Sequence, residues 1–395
     1  MDFLNLKNNK NLFLLFLSLA CVSGIGAFFV PSVLALIIYY YNNKKELKIE
    51  CSGLTKLKKS FLFMAIFLFG LLLSWLFVGE AAGIKLIRHN VERMLPFIFI
   101  IFGLAGKNDI KEKLKYILIG CCIGIWIDCL SVLEKIFIDG LLRPVSLLGS
   151  VNILGGTLIL ILPFLIIFAM YSYNKKYIFT FTTVTGALLL FTLLIIKSRG
   201  SWFGLGIMVA LLPILLYKIN KISFKLLLVI ESLLLIIAIG TYFVFYEALH
   251  RGYDFVRPGL RIVAWNIFLD YPIAGIGPSN FISNYTNENF INPLANVKGV
   301  WTHAHNIYFK FLSENGIFGF SGFIALIIFQ LKVLWKSIIE KHNKISIAMF
   351  LSICGMLAHG WFDVCFSSRY YAMTYWLLWG IVYYIIINET KEVTD

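Results

Sequence analysis

The sequence predicts an all-α, polytopic membrane protein of about twelve transmembrane helices, and three observations lead there. Of its 395 residues, 59% are hydrophobic and only 14% charged, a balance outside that of soluble domains. Apolar runs close to the roughly 20 residues that carry a helix across a bilayer recur along the whole length. The cations also divide by type: lysines gather in one set of connections, and Arg88, Arg93, Arg143, Arg199, Arg251, Arg257, Arg261 and Arg369 in the other.

Taken in order, the first two spans, 11–23 and 26–41, share one apolar run broken at Gly24, Gly26 and Pro31. Such breakers make a tight hairpin of it and not one very long helix. Spans follow at 60–78, 94–106, 116–133, 152–171, 177–196, 202–217 and 226–246, each bounded by polar or basic residues. A long connection, 247–315, precedes the last three, 316–335, 345–361 and 372–387. The chain 1–395 thus reads as a single integral membrane domain, and 247–315 is its one connection long enough to carry structure of its own. There LRIVAWNIFLD sets Leu260, Val263, Ala264, Ile267 and Phe268 at helical spacing, which predicts an amphipathic helix lying on the membrane. YPIAGIGPSNF then reads as turn-rich, and the aromatics Phe281, Tyr285, Phe290 and Trp301 argue for a folded cap.

Loop charge orients the bundle. Lys44, Lys45, Lys48, Lys56, Lys58 and Lys59, then Lys107, Lys111, Lys113 and Lys115, with later groups at 175–176, 218–225 and 332–344, mark the cytoplasmic side. Both termini fall inside, 247–315 falls outside, and no cleavable signal is expected ahead of the first span. The net charge of +14 is mostly this topological lysine and implies no nucleic-acid partner. Cys21, Cys121, Cys122, Cys129 and Cys354 lie in spans and Cys365 in an outer loop, so no disulfide framework is expected. The chain has no C-x-x-C, H-E-x-x-H, Walker loop or dinucleotide turn, and no cofactor is expected.

Arginine on the outer face carries more than orientation, because its rigid fork grips phosphate or carboxylate through two parallel hydrogen bonds. Three constellations bear on this. KSRGSWFG, 197–204, sets Arg199 at the tip of a sharp connection, as an interfacial anchor or an anion grip. RIVAW puts Arg261 and Trp265 one helical turn apart on one face, with the same two readings. WTHAHN supplies His303 and His305, which are polar residues at a helix start, a metal pair, or a general base. The metal reading wants three or four ligands, and no outer acid stands at ligand spacing beside the pair. An ordinary imidazole, with a pKa near ~6.5, accepts a proton without metal help. Asn306 next to it orients a substrate or caps a helix beginning at Ile307. Arg88, His89 and Arg93 in the first outer loop, and Arg143 in the next, are further donor contacts or a solvated cluster. Two arginine-bearing turns and a histidine turn on one side point to group transfer from a phosphorylated lipid, the arginines stabilising a pyrophosphate leaving group and the histidine deprotonating the incoming hydroxyl.

At these residues the chain resembles the superfamily of O-antigen ligases and O-antigen polymerases. The resemblance rests on SRGSWFG after an apolar span, on RIVAWNIFLDYPIAGIGPSNF, and on HAHNIYFKFLSENGIFGFSGF with its E-x-G-x-x-G entering the next span. GSVN at 149–152, after Arg143 and Pro144, is similar as well, and motifs cover roughly 150–335 of the chain. It implies a GT-C-like fold and metal-free transfer of an undecaprenyl-pyrophosphate-linked glycan on the periplasmic face of the bacterial inner membrane. It assigns catalysis to Arg199, Arg261 and His305 and ranks His303 behind His305; Asn306 is a further candidate by its place beside His305, and Arg88, Arg93, Arg143 and Trp265 are lesser donor contacts on charge and side alone. A ligase, with lipid A-core as acceptor, is favoured over a polymerase. A lipid-linked glycan transporter is a third reading, for which the intramembrane acids Asp128 and Glu231 are the feature in favour and the lack of an internal repeat the feature against.

Overall fold

A computed structural model describes residues 9–42, 57–79, 81–105, 110–141, 144–171, 175–244, 256–281 and 301–388. Its helices are α1 (Asn9–Ser23), α2 (Phe29–Asn42), α3 (Lys58–Val78), α4 (Ala81–Leu104), α5 (Ile110–Phe137), α6 (Val151–Tyr171), α7 (Lys176–Ile195), α8 (Arg199–Lys218), α9 (Phe224–Val244), α10 (Val256–Asp270), α11 (Ile307–Lys341), α12 (Lys344–Gly360) and α13 (Arg369–Asn388). Among the described residues there is no strand. In a bilayer this follows from chemistry: a lipid-exposed segment must satisfy its own backbone, and a helix does so internally.

By length and composition, eight of these helices suffice to cross a membrane: α3, α5 to α9, α11 and α13. Shorter apolar helices at 10–23, 26–42 and 344–360, with the apolar second half of α4, take the places of the other four expected spans. The first pair is the hairpin that the breakers predict, since α1 ends at Ser23, Gly24 takes φ +72°, and a 3-10 turn at Gly26–Phe28 leads into α2. One expectation is corrected. Arg88, His89 and Arg93 are not in a loop but within α4, where Arg88 pairs with Glu92 at 3.3 Å. Their polarity hid a helix that the i, i+4 pair helps to hold.

α1 packs along α5 and α13, α4 along α13, α3 along α11, and α12 between α6 and α8. Up-and-down alternation gathers the starts of α4, α6, α8, α11 and α13 and the end of α12 at one end of the bundle, the arginine end. At the opposite end two buried lysines hold the last carbonyls of α4: Lys113 donates to Leu104 O at 2.7 Å and Ala105 O at 2.6 Å, and Lys10 to Ala105 O at 2.9 Å. A helix C-terminus leaves such carbonyls unpaired and carries negative potential, so cations fit there.

At the arginine end, α10 is the expected amphipathic helix. Leu260, Val263, Ala264 and Ile267 are fully buried, and with Phe281 and Ala304 they form a satellite core against α11. This core holds the two ends of the outer connection together. Residues 282–300 lie outside the described ones, so Tyr285 and Phe290 do too.

Candidate active site

The site is assembled from the bottom of the histidine loop. Asn306 has extended backbone, φ −157° and ψ 125°, and its Oδ1 accepts from Tyr308 N at 2.9 Å and Phe309 N at 3.1 Å. It is therefore the N-cap of α11, of the two expected roles the structural one. Its amide also donates to Trp361 O at 3.1 Å, which ties the loop to the end of α12. His305, immediately before, has φ +47°. A non-glycine residue in the left-handed region costs of order 1–3 kcal/mol and is held there by its surroundings, here by the cap on one side and buried Ala304 on the other.

Both imidazoles then meet one carboxylate. His305 Nδ1 lies 3.3 Å and His303 Nε2 3.4 Å from Asp363 Oδ1, and the two rings stand 4.4 Å apart. Asp363 is buried in the short connection from α12 to α13. Its Oδ1 accepts from Val364 N at 2.8 Å and its Oδ2 from Asn152 Nδ2 at 2.5 Å. Asn152 at the start of α6 accepts in turn from Ser198 Oγ at 3.1 Å, just before α8. The GSVN segment thus enters the site through its asparagine. Burial alone would raise the Asp363 carboxyl, but hydrogen bonds to His303 and His305 and their charge hold it well below the usual carboxylate range. Burial conversely pushes the His303 imidazole down, against the pull of Asp363.

Asp363 corrects the sequence reading, which found no acid beside the pair. Sequence distance was the obstacle: the carboxylate lies 60 positions beyond His303 and 58 beyond His305, across two membrane spans. A signal was nonetheless there, one acid in the otherwise apolar WFDVCF between two spans.

The arginines surround this dyad. Arg199, at the first position of α8, lines one narrow pocket with Arg257, Asn152, His359, Phe362 and Asp363. Arg257 was not singled out from sequence; one turn before Arg261 on α10, it is the residue of that helix that enters the pocket. Arg261 sits at the margin, where its Nη2 donates to Trp361 O at 2.9 Å and its guanidinium lies 5.1 Å over the Trp361 ring. Its Nε is buried and makes no hydrogen bond among the described residues. Burial, and then the charge of Arg257, lower its pKa, which still leaves a guanidinium charged in any physiological range.

Other expected contacts fall elsewhere. Trp265 packs its ring against Phe268 at 5.4 Å and Phe309 at 6.3 Å, a support for α10 away from the pocket. Arg93 and Arg88 form a second cationic group with Arg369 around Glu92, and no α4 residue lines the pocket. Arg143 lies outside the described residues. Asp128, the acid a transport path would use, accepts from Leu147 N at 3.0 Å and so tethers the segment before α6.

What aims the histidine loop is a kink. Inside α11, Gly316 takes φ 57° and ψ −159°, and the turn after α10 docks onto the break: Ile317 N donates to Pro272 O at 2.9 Å and Ile276 N to Ser313 O at 3.0 Å. Glu314, fully buried, accepts from Ser279 N at 2.7 Å and pairs with Lys310 at 2.6 Å. This explains the E-x-G spacing, for the acid clamps the turn and the glycine opens the helix to receive it.

With this geometry in place, residues 184–324 match the family described as O-antigen ligase. The match supports the O-antigen ligase and polymerase superfamily. Among curated proteins none matches it. The matched stretch holds Arg199, Arg257, Arg261, His303, His305 and the Gly316 kink, whereas Asn152 and Asp363 come from either side of it. The superfamily works on lipid-linked glycans in a membrane by ligase- or polymerase-type glycosyl transfer, which fits a multi-pass chain with cations and an imidazole–carboxylate pair at one end.

Proposed function

We propose that the chain is an inner-membrane O-antigen ligase that transfers undecaprenyl-pyrophosphate-linked O-polysaccharide to lipid A-core on the periplasmic face, by metal-independent, inverting transfer. The observation that carries the reading is the His305–Asp363 contact beside a pocket lined by Arg199 and Arg257, with Arg261 at its edge. A His305 that donates Nδ1–H to Asp363 keeps a lone pair on Nε2, and that nitrogen takes the proton of the acceptor hydroxyl. The oxygen forms its bond to the anomeric carbon as the bond to pyrophosphate breaks, the electron pair leaves with the phosphate oxygen, and configuration inverts in one step. Arginines meet the growing charge, each charge-assisted hydrogen bond supplying about 1.5–3 kcal/mol. That is the role a divalent ion fills in other phosphoryl chemistry.

Deletion in the native host, followed by gel analysis of lipopolysaccharide, tests the acceptor. Loss of all long-chain bands with lipid-linked polymer accumulating is the expected outcome. A ladder cut to core plus one repeat would instead make the chain an O-antigen polymerase joining lipid-linked repeat units.

A further inference from the structure

We infer that His303, His305 and Asp363 together form a coordination site for a borderline divalent transition ion such as Zn²⁺, and that occupancy switches the base off. One ligand atom from each of the three lies within 4.8 Å of the others. The two contacts to Asp363 Oδ1, 3.3 and 3.4 Å, are close to the edge of a tetrahedron built on metal–ligand bonds of about 2.0–2.1 Å, which is roughly 3.3 Å. The third edge, between the two imidazole nitrogens, is at most 4.8 Å, so seating an ion draws the two rings toward each other. Two imidazoles and one carboxylate with a fourth position left open are a zinc-type set and not a magnesium one, which would want hard oxygens at six corners.

Partners beyond the three ligands support the same reading. Thr302 Oγ lies 2.8 Å from His303 Nδ1, and Asn152 donates 2.5 Å to the second oxygen of Asp363. Groups of this kind fix ring orientation in metal sites, and a threonine hydroxyl can donate or accept as the tautomer requires. The His305 backbone, strained at φ +47°, and the buried carboxylate keep the set convergent without an ion.

Inhibition follows from proton bookkeeping and, unlike the binding itself, rests on the function proposed above. To bind the ion through Nδ1, neutral His305 must carry its one proton on Nε2, the nitrogen that has to accept from the acceptor hydroxyl. His303, binding through Nε2, moves its proton to Nδ1 and donates it to Thr302. No proton is released; the base is lost because its lone pair is turned to the metal.

Purified full-length protein in detergent, stripped with chelator and desalted, is titrated with Co²⁺ as a spectroscopic probe and with Zn²⁺ as competitor. The expected result is one Co²⁺ per chain with the visible absorption of a four-coordinate ion, displaced by Zn²⁺. Thr302→Val should weaken binding by about tenfold or more, and His303→Ala and Asp363→Asn should each abolish the absorption while the protein still elutes as a folded species. In a transfer assay, inhibition by Zn²⁺ should track the same binding curve and reverse on chelation. Absence of saturable Co²⁺ binding, or binding unchanged in both His303→Ala and Asp363→Asn, overturns the site and leaves the proposed transfer standing. Chelated protein that is inactive until Zn²⁺ is restored supports the site but overturns both the inhibition and metal-free transfer.

Discussion

At the scale of single residues, the proposed reaction depends on which nitrogen of His305 is free. A His305→Ala variant should retain binding of a lipid pyrophosphate and lose transfer by about 10²–10⁴-fold, the usual worth of a general base; normal transfer by that variant would reduce the pair to structure. Asp363→Asn keeps the shape but offers a donor where the imidazole donates, and should cost about 10²-fold or more with donor affinity little changed. A fall in affinity instead would make Asp363 a pocket wall. The carboxylate also links acidity to stability. A depressed carboxyl contributes stability that is present above its unfolded pKa, near ~3.9, and is lost only as pH falls through the lower folded value. Replacing both histidines by alanine removes what depresses Asp363 and leaves the burial that raises it, so the buried carboxylate should destabilise the variant most at neutral pH, and its melting-temperature deficit against the parent protein should narrow as pH falls. Arg199, Arg261, His303 and His305 were legible in sequence because arginine and histidine are scarce among apolar spans. Arg257 was not, since it sits in no motif and only the packing of α10 brings it to the pocket with Asp363, and Asp363, visible only as the one acid of WFDVCF, is brought to the histidines by the fold.

At the scale of elements, the expected spans all have helices, but their limits moved where chemistry overrode hydropathy. The span expected from 316 is continuous with the helix that the capping reading of Asn306 starts at Ile307, because the Asn306 cap and the Lys310–Glu314 pair stabilise an amphipathic first half that a hydropathy window ignores. α8 starts at Arg199 for a related reason: its arginine is the first residue of the helix and not the tip of a loop. The break at Gly316 was visible as E-x-G-x-x-G but its cause was not. A side chain there would lie 2.4 Å from Ile273 O, and one at Gly275 2.5 Å from the Glu314 carbonyl carbon. Gly316→Ala adds a conformation open almost only to glycine to that clash, and should cost on the order of 3 kcal/mol, read as a lowered melting temperature in detergent together with lost transfer. Wild-type stability in Gly316→Ala would mean that the turn does not need the break.

At the scale of the whole molecule, the described arginines gather at one end of the bundle, though Lys85, Lys135, Lys197 and Lys310 lie at that end as well. Reporter tags placed after residue 388 and within 282–300 should report opposite sides of the membrane, the latter outside; the same side for both would invalidate the orientation on which periplasmic transfer rests. Purified protein should also transfer glycan in a strong chelator at an undiminished rate, with arginines in the charge-neutralising role. What sequence could not supply at this scale is how the helices pair. α12 between α6 and α8 is what carries Asn152, Arg199 and Asp363 to one place, and hydrophobicity along a chain is silent on such neighbours.

The carbonyl oxygen of Trp361 receives two donors, Arg261 Nη2 and the Asn306 amide. A guanidinium anchored by one edge and stacked on an indole has already surrendered its rotational freedom when an anion arrives. Calorimetry with a soluble pyrophosphate should therefore show a small entropic penalty for engagement of Arg261. Trp361→Ala, which keeps the carbonyl and deletes the stacking surface, should weaken that binding through entropy, leaving enthalpy nearly untouched.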